Sequence, residues 1–194
     1  MILGSHNSWS FRWPKKFWQK LLFFTAKCQN KTIQEQYALG VRCFDLRIRF
    51  DKNNKPHIVH NSFDYGLLSS VFEDLKWLDE RKDVCIRLLH DVRKKKDYTL
   101  NNVTQFRALC DAIQVDFPHL KFWCGRNLYN WGVDYKFKYC PTCLEFYSSV
   151  CPPKIVDDWL PIMYAKLHNK SIKQYYLNDE LLSDSILLLD FVNI

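Results

Sequence analysis

At 194 residues the chain is long enough for one well-filled core and too short for two comfortable domains, so residues 1–194 read as a single domain. With 47% hydrophobic and 25% charged residues, and only 5 Gly and 7 Pro, the composition excludes a disordered chain. A formal charge of +7 makes the surface attractive to anions such as phosphate head groups, nucleic acid or acidic lipid, without choosing among them.

Strand-like runs fall at residues 2–5, 41–50, 57–60, 84–91, 120–124 and 186–192. Most are rich in Val, Ile, Leu, Phe and Cys without strict alternation, as expected of strands buried on both faces. Helical patterns lie between them, so the chain reads as α/β. After the first strand, residues 9–22 mix large aromatics with Arg12, Lys15, Lys16 and Lys20. Two readings are open: indole rings set among lipid head groups with lysines meeting anionic lipid, or rings in the core beside an ordinary solvated face. Thr32-x-x-Glu35 is a capping box opening a short helix that Gly40 closes. The polar turn at 51–56 predicts that strand 57–60 follows strand 41–50 directly. Leu67, Leu68, Val71, Phe72, Leu75 and Leu78 form one apolar stripe at helical period. Arg93-Lys94-Lys95-Lys96 reads as a solvated loop. Val103, Phe106, Leu109, Cys110 and Ile113 mark a helix over 103–117, which Pro118 helps to end. Residues 125–153 hold Gly, Pro, aromatics and cysteines without a sustained period, and strands of a closed sheet have room to hide there.

The 8 cysteines read as free thiols, because the chain has a substantial core and opens without a basic stretch, apolar run and cleavage site. Cys140-x-x-Cys143 with Cys151 raises a zinc site, but no second pair follows at ligand spacing. No apolar run approaches the roughly 20 residues needed to span a bilayer. The expected location is cytoplasmic or released, and peripheral at membranes.

Three polar clusters sit at strand ends: Ser5-His6-Asn7-Ser8, Asp45-Leu46-Arg47 and His60-Asn61. In a parallel α/β barrel the loops after the strands gather at one rim, where active sites assemble. Asp45 and Arg47 are two apart on a strand and share a face. Facing a barrel interior, a carboxylate beside a guanidinium is tolerable where a lone charge is costly. A lone histidine in a strand is usually structural, and His57, His90, His119 and His168 keep that reading.

The ordered string Gly4-Ser5-His6-Asn7-Ser8, Gln29, Thr32-Ile33-Gln34-Glu35-Gln36-Tyr37, Gly40-Val41-Arg42-Cys43-Phe44-Asp45-Leu46-Arg47 and Val59-His60 resembles the X-domain signature of phosphatidylinositol-specific phospholipases C, over about the first third of the chain. The resemblance implies a compact, distorted TIM barrel. It also implies a phosphodiesterase in which the inositol 2-hydroxyl displaces diacylglycerol and leaves a cyclic phosphodiester. His6 would be general base, His60 general acid, and Arg47 the group that stabilises charge on the phosphate, held by Asp45. An arginine at the position of Arg47 marks the bacterial, metal-independent version; calcium-dependent relatives carry a carboxylate ligand there. No cofactor is therefore expected, with calcium the minority possibility. Asn7 departs from the bacterial pattern, which usually has an aspartate assisting the second histidine, and matches the calcium-binding version. Asp190, in Leu187-Leu188-Leu189-Asp190-Phe191, is the carboxylate that would orient His6. Arg87 and Asp91 share a strand face and, with Asn7, are candidates to line the substrate pocket.

The expected partner is a phospholipid, phosphatidylinositol or a lipid-anchored glycan, at a membrane surface, met by a monomer; no ordered nucleic-acid motif accompanies the aromatics. Two alternatives remain: a metal-dependent glycerophosphodiesterase or sphingomyelinase-like barrel, and a catalytically silent lipid-binding barrel.

Overall fold

The eight-residue run 43–50 becomes the central strand, because it is long enough to pair with three others. The computed structural model describes residues 1–92, 99–124, 135–146, 160–177 and 185–194. Strand β2 (Cys43–Phe50) pairs in parallel with β5 (Cys85–His90) along six registers from Cys43↔Cys85 to Ile48↔His90. Its other edge is shared. The start pairs in parallel with β1 (Ile2–Ser5), and the end pairs antiparallel with β3 (Pro56–His60), the hairpin that the polar turn at 51–56 predicts. Beyond β5 lies β6 (Lys121–Trp123); beyond β1 lie β8 (Ile186–Leu189) and β7 (Cys143–Phe146), all parallel. An additional strand, β4 (Phe63–Leu67), folds back antiparallel on β3.

Alternation along the parallel strands sorts side chains into two layers. Phe44, Leu46, Ile48, Ile86, Leu88, Phe122, Leu187 and Leu189 join the main core outside the sheet. There they meet α3 (Phe72–Asp79), through Leu75 and Leu78, and α4 (Leu100–Asp116), through Val103, Phe106, Cys110 and Ile113. Cys43, Cys85, Trp123 and Ile186 form a separate cluster inside the curl of the sheet. Among the described strands no backbone pairing joins β6 to β7. Side chains bridge that side of the curl instead, Arg87 of β5 pairing with Glu145 of β7. The result is an α/β sheet curled as a distorted barrel.

Two expectations needed revision. The apolar stripe at 67–78 is not one helix: Leu67 ends β4, Leu68–Val71 is a 3-10 turn, and the α-helix begins only at Phe72. Strand pairing with β3 takes the first residue, so helical period extended past the true boundary. The last strand stops at Leu189, and Asp190 stands in the bend that follows. Helices α1 (Phe17–Leu21) and α5 (Pro161–Tyr176) had not been anticipated, whereas α2 (Ile33–Ala38) carries the complete Thr32–Glu35 capping box. Gly40 follows it at φ +94°, the left-handed region that a Cβ disfavours. Helix α5 ties down the chain end. Asn169 Nδ2 donates to the carbonyls of Asp190 and Phe191, and Lys173 Nζ to those of Val192 and Ile194. All seven described cysteines are free, while Cys151 and the Arg93–Lys96 run lie outside the described residues.

At Gly4 side chains from both neighbouring strands, β8 and β2, crowd β1. A Cβ there would stand 3.0 Å from Ile186 Cγ2 and Leu188 Cδ1 and 3.3 Å from Cys43 Cβ. Gly4→Val should cost about 1–3 kcal/mol of stability through overpacking, measured by denaturant unfolding. A loss under a few tenths would mean that the strand contact is looser than described.

Candidate active site

The polar clusters predicted at strand ends converge on one rim. His6 follows β1, Asp190 follows β8, Asp45 and Arg47 project inward from β2, and His60 ends β3. His6, His60, Asp45 and Asp190 are each at most 4% exposed.

Asp45 is the hub. Its Oδ2 accepts from the backbone N–H of Asn7 at 3.1 Å and from Arg47 Nε at 2.9 Å, and lies 4.0 Å from His6 Nε2. Its Oδ1 lies 3.8 Å from Arg87 Nε. The carboxylate thus fixes both the turn that carries His6 and the guanidinium beside it. Ser8 reinforces the link between strands, its hydroxyl accepting from Asp45 N–H at 2.8 Å while its own N–H donates to Asp45 O at 3.0 Å.

The two histidines are held alike. His6 Nδ1 meets Asp190 Oδ1 at 2.6 Å, and His60 Nδ1 donates to the carbonyl of Ala26 at 2.9 Å. A carbonyl can only accept, so His60 carries its proton on Nδ1 when neutral and presents Nε2 as an acceptor. Each histidine is followed by an asparagine in the left-handed region, Asn7 at φ 45° and Asn61 at φ 55°. That conformation turns the amide back onto the preceding ring: Asn7 Nδ2 is 2.9 Å from His6 Nε2, and Asn61 Nδ2 is 3.2 Å from His60 Nε2. Asparagine tolerates this backbone better than most residues. The imidazoles meet edge to face with centroids 5.5 Å apart.

Burial sets their chemistry. Desolvation, then the positive field of Arg47, and behind it the second histidine and Arg87, hold the His6 pKa well below the ordinary value near 6.5. His60 is pulled down to about 4, mainly by burial and by Arg47, with the Ala26 carbonyl opposing. Both rings are neutral at pH 7.

Asn7 sits within the site, and its amide also reaches Cys28 Sγ at 3.8 Å. Arg87 points inward one layer deeper than Arg47, at 1% exposure, against Glu145 and Asp45. Asp91 accepts from Asn61 N–H at 3.0 Å and lies 3.6 Å from Arg49, whose guanidinium holds the Asn61 carbonyl. Asp91 therefore clamps the turn after His60, and neither residue stands beside the imidazoles as Arg47 does. Three contributors escaped the sequence reading. Cys28 carried no motif, the Ala26 carbonyl leaves no side-chain signal, and Glu145 lay in the stretch without a period. Gln29 belonged to the motif string but had no assigned role. It staples the barrel end, donating to the carbonyls of His6 and Leu189 and accepting from Val192 N–H.

The segment between β1 and α2 also carries a surface. Trp13, Phe17, Trp18, Leu21, Leu22 and Phe24 are exposed, up to 78% for Phe17, among exposed Lys15, Lys16 and Lys20. Trp9 alone of its tryptophans is core, its indole N–H bonded to Asp74. No helix among the described residues is long and apolar enough to cross a membrane.

Neutral buried histidines couple stability to pH. Above about pH 6.5 their contribution is complete. As pH falls toward about 4 the unfolded chain takes up protons that His60 and His90 refuse in the fold, and stability drops, on the order of 3 kcal/mol for each. Urea midpoints should therefore decline from pH 7 to pH 4.5. His90, packed on Phe106 outside the barrel, isolates one contribution: His90→Leu should flatten the decline. A flat profile in the parent protein would contradict the burial of these rings.

A scan against family models finds no match to this sequence, and a search of curated proteins finds none either. Solved structures do match. The phosphatidylinositol-specific phospholipase C from Listeria monocytogenes superposes with TM-score 0.62 at 16% identity, over 98% of this chain and 87% of that one. A variant of the Staphylococcus aureus phosphatidylinositol-specific phospholipase C matches with TM-score 0.62 at 16% identity, over 98% and 84%. Another structure of the S. aureus protein, concerned with modulation of its membrane binding, gives TM-score 0.62 at 15% identity, over 98% and 85%. The likeness first read in the opening third thus extends along nearly the whole chain as a likeness of fold: this chain has the distorted α/β barrel of the bacterial phosphatidylinositol-specific phospholipases C.

Proposed function

We propose that this chain is a phosphoric diester hydrolase/lyase that cleaves phosphatidylinositol, or a lipid-anchored glycan, to diacylglycerol and a cyclic inositol phosphate. The observation that carries this reading is the pair of facing imidazoles, 5.5 Å apart, beside a guanidinium locked by Asp45. The fold's likeness to bacterial enzymes of that name supports the substrate class.

In this reading His6 Nε2 takes the proton of the inositol 2-hydroxyl as that oxygen attacks phosphorus. The Asp190 carboxylate stabilises the imidazolium that forms. Arg47 faces the non-bridging oxygens, where charge grows in the transition state, and its planar fork suits two of them at once. Protonated His60 gives its proton to the departing diacylglycerol oxygen. Arg87 acts through Asp45, and Asp91 through the turn that follows His60; these are positioning roles. The carboxylates of the centre are already engaged, Asp45 by Arg47 and Asp190 by His6, whereas calcium takes six to eight oxygens, so the charge is assigned to Arg47 and not to calcium. The exposed Trp13-to-Phe24 patch with its lysines is the surface assigned to the membrane, and of its two open readings the exposure favours the interfacial one.

Incubation with phosphatidylinositol vesicles in EDTA should release cyclic inositol phosphate. A calcium requirement would point to the metal-dependent alternative, and vesicle binding without product to a silent barrel. His60→Ala should abolish turnover with the fold intact by circular dichroism. Arg47→Lys keeps the charge but loses the fork, and should lower kcat by orders of magnitude. Because the free protein's His60 titrates at about 4, kcat/KM on a soluble short-chain substrate should rise as pH is lowered from 7.5 toward 5; an optimum above pH 7.5 would remove His60 as the acid. Replacing Trp13 and Trp18 together by alanine should weaken binding to anionic vesicles at least about tenfold, as followed by sedimentation.

A further inference from the structure

Cys28 has no part in acid/base cleavage, yet it is fully buried against the machinery. Its Sγ lies 3.6 Å from His60 Nδ1, and Asn7 Nδ2 reaches both it and His6 Nε2. One donor atom from each of His6, Cys28 and His60 falls within 4.8 Å of the other two. We propose that these three side chains form a zinc site, and that bound Zn²⁺ blocks the active centre by occupying both imidazoles.

Two thiol-and-imidazole features favour zinc. The ligand set, two nitrogens and one sulfur, is the borderline-soft set that tetrahedral zinc takes with a water or carboxylate in the fourth position. His6 Nδ1 is already anchored on the Asp190 carboxylate, whereas His60 meets the thiol with Nδ1, at 3.6 Å, the nitrogen that now donates to the Ala26 carbonyl. For His6 that is the second-shell arrangement that orients a ligating histidine and leaves Nε2 for the metal; at His60 the metal would take Nδ1, the ring proton passing to Nε2. Asp45 Oδ2, 4.0 Å from His6 Nε2, is the carboxylate within reach of the fourth position. Donor atoms of one tetrahedral zinc stand roughly 3.3–3.8 Å apart, so small side-chain rotations suffice, with the Asn7 amide moving aside. On binding, the thiol proton passes to solvent and the thiolate offsets one of the two metal charges. Calcium would find too few oxygens here. The blocking half of the proposal rests on the acid/base roles of His6 and His60; the binding half does not.

Cobalt is the spectroscopic stand-in for zinc. Titrating the EDTA-treated full chain with Co²⁺ should give an intense thiolate-to-cobalt charge-transfer band that saturates at one equivalent and is bleached by Zn²⁺. Turnover of phosphatidylinositol should fall in step with zinc occupancy and return with EDTA. Cys28→Ser should lose the band, and its zinc affinity should fall by at least the 10–100-fold that loss of a mere second-shell partner costs. Cys28→Ala serves the same purpose should the serine variant fail to fold by circular dichroism. Absence of the band, or its persistence in the Cys28 variants through another cysteine, overturns the site. A Cys28-dependent band with undiminished turnover keeps the site and overturns the block together with the acid/base roles. A chain without any basal turnover sinks the enzymatic reading while the cobalt spectrum still decides the metal site.

Discussion

A buried carboxylate organises this molecule. Asp45 has no exposed side-chain surface, and an uncompensated charge inside a barrel would be prohibitive. The structure answers with Arg47 Nε, the Asn7 backbone N–H and the nearby Arg87, and each of those partners belongs to a different feature of the rim. Satisfying one anion therefore sets the direction of the guanidinium, the turn that follows β1 and, through Arg87 and Glu145, the lateral link across the curl of the sheet.

The paired histidines depend on the same economy of groups. Each ring is fixed at Nδ1 by an oxygen and approached at Nε2 by the amide of the following residue, and each following residue is an asparagine in left-handed conformation. Burial beside Arg47 keeps both rings neutral, so an anionic ligand in the centre has the electrostatic effect of raising their affinity for protons. The proposed acid is thereby tied to the presence of its phosphodiester. The same geometry, two oriented neutral imidazoles with a thiol beside them, suits a soft dication, so the proposed catalysis and the proposed zinc site draw on one arrangement.

Site and surface are joined by a single stretch of chain. Residues 13–24 expose the aromatic and aliphatic patch, and the next few supply Ala26, whose carbonyl anchors His60, and Cys28, whose carbonyl accepts from Phe191 N–H. The surface proposed to meet lipid is thus covalently continuous with groups that touch the candidate active site, and Gln29 carries the connection on to β1 and β8.

Much was legible in the residues alone. Apolar runs marked six of the eight described strands, the Thr32–Glu35 box and Gly40 marked a helix, and polar clusters at strand ends marked a rim, because alternation, capping and rim placement are local consequences of residue type; the order of His6, Asp45, Arg47 and His60 marked the candidate site through likeness to a family. Strand β7, with Glu145, was not legible, since four residues without a distinctive period take their conformation from the neighbour they pair with. Nor could exposure of Trp13 and Trp18 be separated from burial of Trp9 by composition, as aromatic residues suit both places. Spacing could nominate Asp190 only through likeness to a family; its 2.6 Å approach to His6 arises because β8 lies beside β1, a contact across 184 positions. Cys28 became part of the centre for the same reason. Residue chemistry determined which groups were able to act, and the closing of the sheet decided which of them meet, because only tertiary packing brings distant backbone into register.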